Sequence, residues 1–221
     1  MKKVLLVALV ALMGLSASAQ VRTSRTLMKR TNPAVWYDRT GMALWTPYGM
    51  DEYEKEQGWS ASGKVGFDLD FGFNNPIGRK GVYWGMDLGF MTRGANASYS
   101  IKTTDSKEIY KGSVGGWAVK LTPFSMGYKY ALTEDIKVDF HGGLFVLAQI
   151  TQKTKSSSSY FDYLEFEEDS AGLDGGLQVG AGVWYKKFNV DLSYQAGLVP
   201  AVINNPQMKL GALLLRVGYA F

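Results

Sequence analysis

The amino-acid sequence predicts an all-β protein: an eight-stranded antiparallel up-and-down transmembrane β-barrel that follows a cleaved N-terminal signal peptide. Three observations predict this fold. Apolar and polar residues alternate with a period of two along much of the chain, long and short connections alternate between the predicted strands, and the last strand ends in an aromatic residue, Phe221. The composition agrees, since 26 Gly, 13 Tyr, 11 Phe and 6 Trp accompany only 6 Pro and 1 His. The absence of cysteine excludes disulfides, thiolate metal sites and a cysteine nucleophile.

The N-terminus carries the pattern of an export signal. Two lysines precede an apolar core at residues 4–15, which is too short to span a bilayer core of about 30 Å as a helix. A small-x-small cleavage site follows at 17–19, so residues 1–19 are predicted to be a Sec signal peptide rather than an uncleaved anchor helix. Residues 20–38 are then expected to form a basic periplasmic segment, and residues 39–221 the barrel. Without the two lysines, 22 basic residues remain against 20 acidic ones, and this net charge of +2 gives no reason to expect nucleic-acid binding.

Eight strands are predicted from the alternation of side chains. In one such segment Val190, Leu192 and Tyr194 share the apolar face, whereas Asp191 and Ser193 lie on the polar face. The strands are placed at 39–48, 60–73, 80–93, 113–130, 136–151, 171–185, 188–198 and 208–221.

Two local features set the expected register of these strands. The alternation between residues 114 and 130 changes phase near Pro123, which predicts a β-bulge at that point. A tight turn at 186–187 is expected to place Gln178 opposite Gln195, so that polar residues face one another across the hairpin.

The composition of the two strand faces favours a membrane barrel over a soluble sandwich. The polar face mixes charged residues with many glycines, which suits a crowded barrel interior, and the apolar face carries the large side chains that lipid contact requires. Long connections are expected at 49–59, 94–112, 152–170 and 199–207, and short ones at 74–79, 131–135 and 186–187. Because short periplasmic turns and longer external loops are typical of outer-membrane barrels, the sequence predicts Sec export to the outer membrane of a Gram-negative cell.

The last strand carries the most specific short signal. Apolar residues recur on one face up to the C-terminus, and this pattern resembles the C-terminal β-signal that the barrel insertion machinery reads in outer-membrane proteins. The residues of this insertion signal are Leu215, Val217, Tyr219 and Phe221. Outward aromatic residues are also expected to form a girdle at the periplasmic interface. Its predicted members are Phe73, Trp84, Tyr128, Tyr130, Tyr185, Tyr219 and Phe221.

Several segments resemble the outer-membrane β-barrel domain that is common in Bacteroidetes. Residues 117–124, 127–130 and 141–145 resemble the middle of that domain, and residues 175–185, 193–198 and 217–221 resemble its second half. This family includes the PorT-like proteins tied to type 9 secretion and gliding. The resemblance implies a non-enzymatic structural or interaction role, without a cofactor, among envelope or secretion-complex proteins.

The inward-facing charges are expected to form an ion network that fills the barrel interior. Eight strands enclose an interior just wide enough for side chains, so mixed charges are expected to pair with one another. Asp191 and Arg216 lie at similar depths on neighbouring strands and are predicted to pair. The predicted network residues are Asp87, Lys120, Lys137, Asp139, Asp191 and Arg216, with further inward charges at Lys64, Asp68, Asp70 and Arg93. A narrow ion path through the same residues is the alternative.

His141, the only histidine, suggests a second alternative, a small lipid-modifying enzyme. Asp139 lies on the same strand face, and a turn centred near Thr133 would place Ser125 opposite His141, which makes a Ser-His-Asp cluster conceivable. A hydrogen-bonded lumen histidine without catalytic function is the preferred interpretation. A metal site is not predicted, because one histidine without cysteine leaves only carboxylate ligands.

The predicted loop at 152–170 is the best candidate for a partner contact. Its aromatic and acidic residues are Tyr160, Phe161, Tyr163, Glu165, Glu167 and Glu168. A calcium site in the acidic part is the alternative, although the spacing of an EF-hand is absent. At the other end of the chain, the basic residues between 20 and 39, Arg39 among them, are candidates for contact with an acidic partner or with lipid headgroups of the inner leaflet. The expected partners are therefore outer-membrane lipid, the insertion machinery and envelope proteins.

Overall fold

The structure is a computed structural model that describes residues 33–49, 58–78, 80–102, 107–151, 153–156, 172–199 and 209–221. All of its strands lie within the unit formed by Ala34–Phe221. The predicted signal peptide, and the expected basic segment as far as residue 32, lie outside the described residues. In the described part of the chain, no helix is long and apolar enough to cross a membrane.

The described residues form ten strands in one antiparallel sheet, so the predicted number of eight strands is too low. The strands are β1 (Val35–Tyr48), β2 (Trp59–Ser62), β3 (Lys64–Pro76), β4 (Val82–Lys102), β5 (Lys107–Ala131), β6 (Ile136–Gln149), β7 (Lys153–Ser156), β8 (Leu173–Tyr185), β9 (Phe188–Gly197) and β10 (Lys209–Ala220). The two additional strands, β2 and β7, are only four residues long. β7 lies in the predicted loop at 152–170, whereas most of β2 belongs to the strand predicted at 60–73, which the structure divides into β2 and β3. The two short strands pair with the ends of β4 and β5.

The other eight strands pair in a closed ring. The ladder runs β4-β3-β1-β10-β9-β8-β6-β5, and an additional pairing between β4 and β5 joins its two ends. Short connections at 77–81, 132–135 and 186–187 lie at one end of this ring, which is called the inner end below because Phe221 also lies there. The other connections lie at the opposite end, called the outer end. The long connection expected at 94–112 is not present as predicted, because β4 extends to Lys102 and β5 begins at Lys107.

The start of the first strand differs from the prediction. β1 begins at Val35 rather than at residue 39, and Tyr37 and Arg39 point inward from it, where both are buried. Arg39 is therefore an interior residue rather than part of a basic periplasmic segment. The alternation through Trp36, Tyr37 and Asp38 already has the strand period, but the nearby charges resemble those of a solvated tail.

The expected alternation and register are present elsewhere. Apolar residues on the outward faces of the strands are exposed over the whole ring, whereas the inward faces are buried. The register of β5 against β6 shifts between Leu121 and Phe124, which confirms the bulge predicted at Pro123. Across the turn between β8 and β9, Gln178 pairs with Gln195 as predicted. The side-chain amide of Gln195 donates a hydrogen bond to Gln178 Oε1 over 2.6 Å.

The ring interior is not polar throughout, which corrects the expectation from the sequence. Its outer half holds an apolar cluster whose buried members come from five strands, β1, β4, β5, β6 and β10. The largest of them are Trp45, Met91, Phe145, Leu147, Leu210 and Leu214. Most of the buried charged residues lie below this cluster, towards the inner end, but Arg93 and Asp174 lie at the level of the cluster.

Aromatic rings form a continuous outward patch at the inner end. Phe71 lies between Trp36 and Phe221, with ring centroids 5.6 and 5.9 Å away, and Tyr219 lies 6.4 Å from Phe221. The backbone N–H of Phe221 donates to the Trp36 carbonyl over 3.1 Å. Of the predicted girdle, Tyr128, Tyr130, Tyr185, Tyr219 and Phe221 are exposed, and Phe73 and Trp84 are half-buried.

Candidate functional site

The central feature of the interior is a chain of buried ion pairs that crosses from β5 to β9. Lys120 Nζ donates to Asp68 over 2.6 Å and to Asp70 over 2.8 Å. Arg216 donates from its NH1 to Asp70 over 2.6 Å and from its NH2 to Asp191 over 2.5 Å. The predicted pairing of Asp191 with Arg216 is therefore present, and all five side chains are buried. The network thus ties together β3, β5, β9 and β10 around the interior.

Two glycines allow this network to form, because its ion pairs between β3 and β5 and between β3 and β10 join strands that are not neighbours. Gly41 on β1 is paired with both Asp68 and Arg216, which flank it on β3 and β10. Gly89 on β4 is paired in the same way with Asp70 and Lys120. A Cβ at Gly89 would overlap the Asp70 carboxylate, and one at Gly41 would overlap the backbone of β10. The absence of a side chain on the intervening strand is what lets each cation reach its partner.

His141 lies beside this network but not with the residues predicted to join it. Its Nε2 is 3.2 Å from Ser193 Oγ and 3.4 Å from Asp191 Oδ2, and Ser193 Oγ donates to Asp191 over 2.7 Å. Gly127, rather than Ser125, is paired with His141, while Ser125 is paired with Gly143. The hairpin is therefore displaced by two residues from the predicted register, since the turn at 132–135 is centred one residue later than expected.

Asp139 is also separated from His141 by its hydrogen bonds. Its two carboxylate oxygens accept from Tyr83 OH over 2.7 Å and from Trp184 Nε1 over 3.0 Å. Among the described residues, no hydrogen bond links Ser125, His141 and Asp139. The residues that do contact His141 are Ser193 and Asp191, and both lie against the same ring nitrogen, Nε2. The other ring nitrogen, Nδ1, is buried without a hydrogen-bond partner. A catalytic triad needs the two contacts on different ring nitrogens, so this cluster has the geometry of a structural hydrogen-bond network.

Below the central network, aromatic side chains fill the inner end of the ring. Tyr37 OH donates to Asp87 over 2.5 Å, and the Tyr37 ring packs edge-on against Trp184 with centroids 6.0 Å apart. The guanidinium of Arg39 lies 4.3 Å from the centroid of the Tyr37 ring, and the Lys129 ammonium lies 4.3 Å from that of Trp184. Cations over aromatic faces of this kind are stabilised by the ring quadrupole. Asp87 thus belongs to this inner layer rather than to an ion pair.

Lys137 is an exception among the predicted network residues, because it is exposed at the inner end of β6. At the outer end, Arg93 pairs with Asp174 over 2.5 Å, and both are buried. Asp174, Ser193 and Tyr83 were not predicted as site residues. The strand alternation places all three on inward faces, but their partners depend on the register between strands that are distant in sequence.

These layers place ion pairs, aromatic rings and the apolar cluster one after another along the interior. Such an interior stabilises the ring and fixes the relative positions of its strands. Within the residues that the structure describes, no group of three or more His, Cys, Asp or Glu is arranged to hold a metal ion.

Two further predicted sites, the insertion signal and the partner loop, do not belong to the interior of the ring. The residues proposed as an insertion signal, Leu215, Val217, Tyr219 and Phe221, all point outward and are exposed. The proposed partner loop lies outside the described residues. It comprises Tyr160, Phe161, Tyr163, Glu165, Glu167 and Glu168.

Comparison with known proteins gives one match at the level of sequence families. The family model described as "Outer membrane protein beta-barrel domain" matches residues 7–221. No curated protein matches significantly.

Several solved structures are similar to this chain. Ail, the attachment invasion locus protein of Yersinia pestis, is 15% identical with a TM-score of 0.40, over 86% of this chain and 100% of its own. Neisserial surface protein A is 12% identical with a TM-score of 0.41, over 86% of this chain and 100% of its own. The outer membrane enzyme PagL is 10% identical with a TM-score of 0.43, over 82% of this chain and 98% of its own.

Proposed function

Since this chain belongs to the outer membrane protein β-barrel domain family, we propose that it is a non-enzymatic outer-membrane barrel with a structural or interaction role. The observation that carries this proposal is the filled interior. Buried ion pairs connect β3, β5, β9 and β10 across the ring, and the apolar cluster lies between them and the outer end. A closed interior supports the function of a rigid scaffold that holds its connections in place for partner proteins.

The sharper form of the proposal is a PorT-like component of a secretion or gliding assembly. It is supported by the resemblance of residues 117–124 and 141–145 to the Bacteroidetes barrel domain. In this role the loop predicted at 152–170 would contact other envelope proteins, and the exposed apolar face of β10 would serve barrel insertion.

Site-specific photo-crosslinking in intact outer membranes tests this role. A photoreactive residue at Phe161 or Tyr163, in the full-length chain, is expected to capture a discrete envelope protein. The matched control places it at Leu132, which is exposed in a short inner-end turn. Capture from the loop and not from Leu132 would support an outward-facing partner. Absence of crosslinks from all tested outer-end positions would contradict it.

Two measurements separate this proposal from its rivals. A filled interior predicts no steady single-channel steps in planar-bilayer recordings, so such steps would overturn it in favour of a narrow pore. The rival enzyme would depend on His141, whose Nε2 contacts Ser193 and Asp191. Mass spectrometry of lipid A from cells with the wild-type chain and with His141→Ala is expected to show the same acyl pattern. A changed pattern would refute the non-enzymatic role.

A further inference from the structure

A pocket lies at the outer end, where the ladder between β3 and β4 stops. β3 pairs with β4 only as far as Asp68 and Met91, and β4 pairs with β2 only from Asn96 onward. In the gap between these two ladders, Thr92 of β4 accepts hydrogen bonds from the neighbouring strands. The backbone N–H of Phe67 donates to Thr92 Oγ1 over 2.7 Å, and Trp45 Nε1 donates to the Thr92 carbonyl over 2.6 Å. A cavity of about 360 Å³ opens at this break.

The charged residues that line this pocket are all basic. Lys64, Arg93, Lys153 and Lys155 contribute to it, and no described lining residue is acidic. Among the described residues, no carboxylate lies within ion-pair distance of the three lysine ammonium groups, whereas Arg93 pairs with Asp174. Three unpaired ammonium groups around one cavity create a positive potential that favours an anionic ligand.

Arg93 also lines the cavity, but its side chain is buried on the inward face of β4 and pairs with Asp174. Glycines also shape the pocket, because the Lys64 stem lies over Gly94 and its Nζ is 3.0 Å from the position that a Cβ of Gly115 would occupy.

Lys153 and Lys155 lie on the outward face of the wall, because they are paired with Gly115 and Ser113 on β5 and directly paired residues point to the same face. Lys64 is paired with the buried Trp45, but its ammonium group reaches the same place, 3.0 Å from the position of a Cβ on Gly115. Trp117 lies two residues from Gly115 on the outward face and is 50% exposed, and Val65 in the pocket lining is 65% exposed. The cationic pocket therefore borders the outward apolar surface at the outer end.

We infer that this pocket binds the phosphate of a lipid headgroup in the outer leaflet. Lys64, Lys153 and Lys155 attract the phosphate charge, and Val65 and Trp117 contact the acyl chains below it. Free phosphate shares the charge but not the apolar part, so the exposed side chains beneath the pocket favour a lipid. The site goes beyond the proposed scaffold role and does not depend on it.

Native mass spectrometry of the full-length chain in detergent, titrated with bis-phosphorylated lipid A, tests this site. Lys64→Gln/Lys153→Gln/Lys155→Gln is expected to weaken lipid binding by at least about tenfold. Ser113→Glu, which adds an acid opposite Lys155 and keeps all three lysines, should weaken it as well. Dephosphorylated lipid A should bind the wild-type chain as weakly as the intact lipid binds the triple variant.

A matched triple variant controls for net charge. Lys80→Gln/Lys137→Gln/Lys187→Gln removes three exposed lysines at the inner end and should leave lipid A binding unchanged. The heat-modifiable electrophoretic mobility of every variant verifies that it is folded. Equal lipid affinity in the wild-type chain and both pocket variants would overturn the inference. So would equal binding of dephosphorylated lipid A, or full displacement of the lipid by inorganic phosphate at the same concentration.

Discussion

Replacing Arg216 tests whether the interior network stabilises the ring. Its side chain is 1% exposed and donates to Asp191 from two nitrogens, over 2.5 and 2.9 Å, and to Asp70 over 2.6 Å. In Arg216→Met, Asp70 keeps Lys120 at 2.8 Å, but Asp191 keeps only Ser193 and the nearby ring of His141. Removing one partner of a buried ion pair costs about 3–5 kcal/mol. We therefore expect the free energy of unfolding to fall by that amount.

The assay is reversible urea unfolding of the refolded barrel in lipid bilayers, followed by tryptophan fluorescence. Asp191→Asn, Arg216→Met and the double variant form a thermodynamic cycle. The double variant should lose about 1–3 kcal/mol less free energy of unfolding than the two single losses added together. Lys137→Gln is the control and should change stability by less than about 0.5 kcal/mol, because its side chain is exposed. Additive single effects, or a loss below about 1 kcal/mol in Arg216→Met, would refute the assigned role of the network.

Three further outcomes are expected from the same interior and from the C-terminus. Gly89→Ala places a Cβ against the Asp70 carboxylate and should destabilise the ring by about 1–3 kcal/mol in urea unfolding. Tyr83→Phe removes the hydrogen bond to Asp139 over 2.7 Å and should lower the free energy of unfolding by about 1–3 kcal/mol, since a buried charged acceptor loses a donor. Phe221→Ala should reduce the fraction of chain assembled in the outer membrane, measured by heat-modifiable mobility, if the aromatic terminus is read during insertion.

Two of these variants have a control. Gly142→Ala meets its nearest atom at 3.3 Å and should be much milder than Gly89→Ala. Phe188→Ala removes an equally exposed aromatic residue at the inner end and should assemble normally. Equal losses in a variant and its control would mean that general packing, rather than the named contact, is responsible. For Tyr83→Phe, unchanged stability would exclude a structural role for the bond to Asp139.

The alternation of side chains was sufficient to predict the faces of the strands and part of the interior. An inward position follows from the period alone, so the expected pairing of Asp191 with Arg216 required only adjacent strands and similar depth. The bulge at Pro123 was visible because it changes the phase of the pattern. Such local signals do not depend on the rest of the ring.

Other features depend on contacts between distant strands and were missed. Arg39 resembles a residue of a basic tail until β1 is placed between β3 and β10. A two-residue displacement in the hairpin after β5 was enough to separate Ser125 from His141, because register depends on the turn that forms rather than on the strand pattern. The strands β2 and β7 have only four residues each, and they form against extensions of β4 and β5 that the alternation does not define.

The pairing of β1 with β10 has a consequence for biogenesis. These are the first and last strands of the ring, and their ladder pairs Tyr37 with Ala220. Of all the strand pairings in the ring, this one joins residues with the greatest separation along the chain. Until β10 arrives, both β1 and β9 expose unpaired backbone that can pair with other chains. A chain without its last dozen residues would therefore keep two strands with unpaired backbone and could not close the ring.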